Sequence, residues 1–116
     1  MITQFRGMNI SSDDPKRLAL FYRNVLGIPM LEEDENFHGV VFGNREGEPV
    51  FWIWDAGKCE RANTGTVTFV FDCDDHDKTY EELKAKGVAL DPPVIADWGG
   101  KELHVKDPDG NTVLIL

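Results

Sequence analysis

The chain has 116 residues, of which 41% are hydrophobic, with seven Phe and three Trp, so it is long and apolar enough for one globular domain with a core. Acidic residues outnumber basic ones by 21 to 12, and the net charge of −9 argues against nucleic-acid partners and anionic membrane surfaces. Cys59 and Cys73 form no CxxC pattern, and residues 1–6 contain no apolar signal core, so we expect a reduced, cytoplasmic protein.

A strand at residues 5–10 and then a helix are predicted to open the chain. Asp14 suits the N-cap of this helix, Pro15 suits its first position, and Gly27 suits a left-handed stop. Apolar residues recur between them at helical spacing and predict one buried stripe: Leu18, Phe21, Tyr22, Val25 and Leu26.

The remaining elements repeat this order about 60 residues later. Three strands are predicted after the first helix, at residues 30–32, 37–42 and 50–54. The second half then offers a strand at residues 67–71, a helix ending at Gly87, and strands at residues 88–95, 102–106 and 112–116. Asp74 or Asp75 would cap the second helix, and Pro92-Pro93 must lie at a sheet edge or bulge because proline donates no ladder hydrogen bond.

The order βαβββ therefore occurs twice, in modules of about residues 1–58 and 64–116. Each module would be a small sheet with a helix on one face and a bare face on the other. Two such modules with their bare faces together predict an α+β fold, in which a cupped mixed sheet surrounds a central cleft. We interpret residues 1–116 as a single domain.

Two sequence strings carry a family resemblance: FYRNVLG at residues 21–27 and DPDGN at residues 107–111. With the repeated βαβββ order, they make the chain resemble the vicinal oxygen chelate superfamily, which includes glyoxalases, extradiol dioxygenases, fosfomycin resistance enzymes and bleomycin resistance proteins. The resemblance covers essentially the whole chain and implies the glyoxalase-like fold. Both strings are structural, a helix face with its stop and a hairpin turn, so they leave the chemistry open.

We expect this chain to lack the metal site of the family. In metal-using members, the first, fourth, fifth and eighth strands each offer a ligand to one divalent cation. The resemblance places those positions at Gly7, Phe51 or Trp52, Thr66 and Leu114, and none of these is a usual metal ligand. The surrounding strands contain no His, Asp or Glu either. We therefore expect no metal and no cofactor.

The expected cleft is rich in tryptophan. Trp52 and Trp54 share one face of their strand, whereas Phe51 and Ile53 share the other. We favour the tryptophans in the cleft because Trp52 lies next to the family ligand position. Both indoles packing in the core, or covering a dimer contact, remains the alternative. The expected lining comprises stacking residues, residues that give shape, polar residues and a loop residue at the cavity mouth: Trp52 and Trp54; Gly7, Phe51 and Leu114; Asn9, Thr66 and His104; and Trp98.

These expectations describe a metal-free protein that binds a small aromatic or cationic molecule by stacking, and the family suggests a homodimer. The alternative is a divalent-metal-dependent lyase, isomerase or dioxygenase with relocated ligands. His38, His104 and either Asp55 or Glu102 would then have to converge. A lone strand histidine is also compatible with a purely structural role, and a protein whose tryptophans fill its own cleft is a third interpretation.

Overall fold

Two four-stranded mixed sheets and short helices make up the computed structural model, which confirms the predicted α+β class. The structure describes residues 1, 3, 7–32, 37, 39–44, 48–57 and 67–116. The chain divides into two compact units, Met1–Thr64 and Gly65–Leu116. No helix within the described ranges is long and apolar enough to cross a membrane.

The first unit contains one sheet with the strand order β1-β4-β3-β2. Its strands are β1 (Met8–Ser12), β2 (Met30–Glu32), β3 (Gly39–Gly43) and β4 (Pro49–Asp55). Strand β1 runs parallel to β4, and the other neighbours are antiparallel. The predicted strand at residues 5–10 is described only from Gly7 onward, and the strand itself continues to Ser12.

The second unit repeats this arrangement with the strand order β5-β8-β7-β6. Its strands are β5 (Thr68–Phe71), β6 (Val94–Ile95), β7 (Lys101–Lys106) and β8 (Thr112–Ile115). The parallel pair is again formed by the first and last strands of the unit, β5 and β8. The two units therefore share one topology, as the repeated sequence order predicts.

Among the described residues, each unit has one α-helix, and an aspartate caps each of the two. Helix α1 (Pro15–Leu20) starts with proline at its first position, and Asp14 Oδ1 accepts a hydrogen bond of 3.1 Å from the backbone N–H of Arg17. Helix α2 (His76–Ala85) is capped by Asp75, whose Oδ1 accepts from the N–H of Lys78 at 3.0 Å. These bonds satisfy amide groups that have no partner inside the helix.

The first helix departs from the predicted continuous α-helix. After Leu20 it continues as a π-helical segment, Phe21–Val25, and the N–H of Leu26 donates to the carbonyl of Phe21, five residues back, at 3.1 Å. The wider turn changes which side chains face inward. Tyr22 is fully buried, whereas the other members of the predicted stripe after Leu18 are only partly buried: Phe21, Val25 and Leu26.

Strand β6 is much shorter than the predicted strand at residues 88–95. It contains only Val94 and Ile95, which pair with Glu102 and Lys101 of β7. The two prolines immediately before it lack an N–H, so the ladder cannot extend back through them. Residues 103–106 of β7 consequently have no strand partner on that edge among the described residues.

The helix-facing sides of the two sheets hold the apolar core. In the first unit, Tyr22 packs against Phe51 with ring centroids 5.1 Å apart, and Phe51 stacks on Phe42 at 5.0 Å. All three are at most 1% exposed. In the second unit, the buried apolar residues are Phe69, Leu83, Leu103, Val105, Val113 and Ile115. Burying each large side chain contributes roughly 1.5–3 kcal/mol.

Candidate ligand-binding faces

Strand β4 presents its two tryptophans on the face of the first sheet that α1 does not cover. Side chains alternate along a strand, so Phe51 and Ile53 face the helix while Trp52 and Trp54 face the other way. Phe51 and Ile53 are at most 1% exposed, whereas both tryptophans are partly exposed. We call this side, with Asn9 and the glycines beside the indoles, the tryptophan face.

Glycines make room for both indoles. A Cβ atom placed on Gly39, which pairs with Trp54, would lie 2.6 Å from Cζ3 of that indole. A Cβ on Gly7 would lie 2.6 Å from Cζ3 of Trp52, and the φ of Gly7 is +152°. The indole rings thus occupy the space that side chains on the neighbouring strands would take.

A hydrogen bond also fixes the orientation of one indole. Trp54 Nε1 donates to Oδ1 of Asn9 on β1 at 3.0 Å, while the benzo edge of the ring lies over Gly39 on β3. The ring is therefore held at both ends and extends across three strands. Asn9 was expected to make polar contacts with a ligand, and in the structure its carboxamide holds the tryptophan.

One residue predicted to line the cleft, Phe51, lies on the helix side of the sheet instead. Phe51 was expected to give the cleft its shape, but this prediction is wrong, since its side chain points to the helix side and is enclosed by Tyr22 and Phe42. The adjacent position, Trp52, takes the open face instead. Thr66, the expected polar residue, lies outside the described residues.

In the second unit, the predicted residues His104 and Leu114 are cross-strand partners on the face of the sheet opposite Leu103 and Val105. The side chain of His104 is 54% exposed, and Leu114 is partly exposed. Trp98, in the turn before β7, is 64% exposed and lies over Gly100, where a Cβ atom would overlap its ring. All of these residues belong to the second unit.

A hydrogen-bonded chain links three of these side chains. Trp98 Nε1 donates to Oε1 of Glu102 at 2.8 Å, and Nε2 of His104 lies 3.0 Å from the other carboxylate oxygen. The Trp98 hydrogen bond, followed by the hydrogen bond and charge of His104, lowers the pKa of Glu102 from its ordinary value, although desolvation acts in the opposite direction. Glu102 therefore stays ionised and holds the imidazole.

The link from Trp98 to Glu102 was not predicted from the sequence. Glu102 was considered only as an alternative to Asp55 in a relocated metal site with His38 and His104. The contact between Glu102 and His104 could be predicted, because residues two apart on a strand lie on the same face of the sheet. The turn that brings Trp98 back over Gly100 could not be read from spacing alone, because it depends on the conformation of residues 96–100.

The positions that the resemblance was expected to match to metal ligands carry residues that are not usual metal ligands. Gly7 has no side chain, Trp52 offers an indole and Leu114 is aliphatic. Within the part of the chain that the structure describes, no three His, Cys, Asp or Glu residues cluster closely enough to hold an ion. Of the relocated ligands considered, Glu102 and His104 do meet, Asp55 accepts from the N–H of Gly57 in the first unit, and His38 lies outside the described residues.

Two successive βαβββ units, each with an open sheet face that carries aromatic or polar side chains, define a two-module α+β protein of the glyoxalase-like class. Residues 4–115 match the model of the Glyoxalase/Bleomycin resistance protein/Dioxygenase superfamily. The chain belongs to this superfamily.

The individual relatives found have low sequence identity to this chain. The chain is 28% identical to the uncharacterized protein YraH of Bacillus subtilis (strain 168) over 114 residues, which cover 89% of each chain. Its fold is similar to lactoylglutathione lyase of Agrobacterium tumefaciens, with a TM-score of 0.75, 21% identity and coverage of 99% of this chain and 93% of the other. It is also similar to TnmS3, an antibiotic binding protein of Streptomyces sp. CB03234, with a TM-score of 0.77, 21% identity and coverage of 98% of this chain and 94% of the other. At these identities the structural matches establish the fold only. They do not show what this chain binds or whether it is an enzyme.

Proposed function

We propose that this protein binds a small, flat aromatic or cationic molecule on the tryptophan face, without the metal chemistry of the superfamily. The observation that carries the proposal is the pair of indoles on β4, both turned away from the core and both partly exposed. Burying an indole in the core would release more free energy than leaving it on an open face. Two adjacent, partly exposed indoles on one face therefore support a binding surface.

The way the indoles are held supports recognition rather than chance exposure. Trp54 is anchored by Asn9 and seated on Gly39, so little rotamer entropy is lost when a ligand stacks on it. Stacking of a flat ligand on an aromatic ring contributes about 0.5–1.5 kcal/mol beyond area burial, and a cation over an indole adds a similar amount. The net charge of −9 favours cations over anions.

The test uses three compounds of the same shape and different charge: N-methylquinolinium, quinoline and 1-naphthoate. Each is titrated while the indole N–H resonances of the three tryptophans are followed by NMR. We expect the signals of Trp52 and Trp54 to move with N-methylquinolinium most strongly, then with quinoline, and least with 1-naphthoate. Trp52→Leu and Trp54→Leu should each weaken binding about tenfold, the scale of one lost stacking contact of roughly 1.4 kcal/mol.

Trp98→Leu is the matched control, since it removes an exposed indole from the other unit. An equal loss of binding in all three variants would contradict the proposal. So would the absence of any shift at Trp52 and Trp54 across a broad set of flat aromatic compounds with the protein folded.

The family also leads us to propose a cytoplasmic homodimer, for which light scattering of the purified chain is the direct measurement. A mass near 13.1 kDa, that of one chain, would contradict the dimer.

A further inference from the structure

A groove in the second unit lies at the edge of β7 that β6 leaves unpaired. It has a volume of about 660 Å³, and apolar, polar and charged residues line it: Ala89, Leu90, Asp91, His104, Val105, Lys106 and Thr112. This volume is within the range of small-molecule sites, roughly 300–1,000 Å³. The groove exists because Pro92 and Pro93 keep the preceding residues from pairing with β7.

Opposite charges line this groove without neutralising each other. Among the described residues, Asp91 makes no ion pair, and Lys106 uses its ammonium group only to donate to Oγ1 of Thr112, at 2.7 Å. An ammonium group has three donors, so two remain available to a ligand. Both residues are exposed, and no ion pair between them occurs among the described residues.

His104 adds a hydrogen-bond acceptor to the two charged groups of the groove. Glu102 stays ionised and accepts from Nε2 of His104, so the neutral imidazole carries its proton on that nitrogen and keeps a lone pair on Nδ1. No hydrogen-bond partner for Nδ1 occurs within the described parts of the chain. His104 and Lys106 are two residues apart in β7, so they share a face and their Cα atoms lie about 6.6 Å apart.

We propose that this groove is a second ligand site, independent of the tryptophan face, and that it binds a small zwitterion with an apolar body, such as a free aliphatic amino acid. The ligand's ammonium group donates to Asp91 and to Nδ1 of His104, and its carboxylate accepts from Lys106. Ala89 and Leu90 contact the apolar part. A simple cation would leave Lys106 unpaired and a simple anion would leave Asp91 unpaired, so a molecule with both charges is preferred over either.

The test compares L-leucine with 4-methylpentanoate, which lacks the ammonium group, and with 3-methylbutylamine, which lacks the carboxylate. None of the three has an aromatic ring to stack on the tryptophan face, and any contact of an ammonium group with that face would be seen separately, at the indole N–H resonances of Trp52 and Trp54. We expect amide NMR shifts confined to residues 89–91 and 104–112, and leucine affinity at least tenfold above that of either analogue. Equal affinity of leucine and one analogue, or shifts elsewhere, would overturn the zwitterion site.

Charge-removing variants provide the second arm. Asp91→Asn and Lys106→Met are each expected to weaken leucine binding about tenfold. Asp74→Asn and Lys78→Met remove the same charges from exposed positions outside the groove and are expected to change it less than twofold. Equal losses in groove and control variants would show that only the overall charge matters and would reject the site. Normal binding of N-methylquinolinium to these variants would keep the two proposals separate.

Glu102→Gln tests the role of His104, for which Glu102 is a positioning residue. The glutamine carbonyl can still accept from Trp98, but its amide would donate to Nε2 and move the imidazole proton to Nδ1. At pH 8.5, where imidazole groups are neutral, ¹⁵N spectra of the ring should show this tautomer change, and leucine affinity should fall about tenfold. A changed tautomer with unchanged affinity would remove His104 from the proposed site.

Discussion

At the scale of single residues, the missing side chain at two glycine positions is what allows the tryptophan face to exist. Gly39 and Gly7 each have an indole where their Cβ atoms would be. Any side chain there must compete with Trp54 or Trp52 for the same space. Gly39 on β3 and Gly7, which immediately precedes β1, therefore control the position of the tryptophans on β4.

Gly39→Ala tests this control directly. Its added Cβ would lie 2.6 Å from Cζ3 of Trp54, closer than carbon atoms can approach, so the indole must tilt and strain its hydrogen bond to Asn9. We expect a shifted Trp54 indole N–H resonance and about tenfold weaker binding of N-methylquinolinium. Gly57→Ala is the control, because its Cβ would meet only a side-chain oxygen of Asp55 at 3.3 Å. An unmoved Trp54 resonance in Gly39→Ala would contradict the role assigned to this glycine.

Trp98→Phe tests the residue that holds Glu102. The indole N–H is the largest influence lowering the pKa of Glu102, so removing it should raise that pKa toward the ordinary value of 4.5. His104→Gln, which removes the charge of the imidazole, should also raise the pKa of Glu102. The measurement is a pH titration of the Glu102 carboxyl carbon by NMR.

The lowered pKa of Glu102 also determines how the stability of the folded protein changes with pH. The pKa of Glu102 is lower in the folded than in the unfolded chain, so its stabilising effect is present above about pH 4.5 and is lost as the pH falls through the folded value. Trp98→Phe should reduce this acid-dependent part of the stability. A variant with the same acid unfolding curve as the parent protein would contradict the assignment.

The faces on which the candidate residues lie could be predicted from the sequence, but their long-range contacts could not. Strand alternation correctly places Trp52 and Trp54 together on one face and Phe51 on the other, since side chains must alternate. The expectation that Phe51 also shapes a cleft was inconsistent with that alternation once Trp52 was placed on the open face. The bond between Trp54 and Asn9 joins residues 45 positions apart, and no local pattern reveals such a contact.

At the scale of elements, the two helices begin where an aspartate can accept amide hydrogen bonds, and α2 provides the clearer test. Asp75→Ala removes the acceptor for the N–H of Lys78 and should destabilise the protein by about 1 kcal/mol. Asp74→Ala is the matched control, one position earlier in the chain. Chemical denaturation of both variants measures the difference, and equal stability of the two would contradict Asp75 as the cap.

Element ends were predictable where a residue imposes a hard chemical constraint. Asp14 and Pro15 start the first helix as their chemistry requires, and of the two candidate caps for the second helix, Asp74 and Asp75, the structure has Asp75. The π-helical segment was not predictable, because the stripe of apolar residues fits an α-helix equally well and the choice depends on how Tyr22 packs against Phe51. The short β6 was predictable in part, since Pro92-Pro93 was recognised as incompatible with a central strand, but the extent of the unpaired edge was not.

At the scale of the whole molecule, both units divide their sheet into a face that stabilises the fold and a face that is open. In the first unit, Phe51 and Ile53 pack under the helix while Trp52 and Trp54 are partly exposed. In the second unit, Leu103 and Val105 are buried while His104 is exposed. Repetition of the same order predicts this division, but not what each open face carries, which differs between the units.

Neighbouring substitutions on β4 should therefore separate stability from binding. Phe51→Ala removes a ring stacked between Tyr22 and Phe42 and should lower the free energy of unfolding by about 3–5 kcal/mol. Trp52→Ala, one residue further along the strand, removes a partly exposed side chain and should cost less than half as much. Its main effect should be weaker binding of N-methylquinolinium. Similar stability losses from both, measured by chemical denaturation, would mean that Trp52 is a core residue and that the open face of the first unit does not serve a ligand.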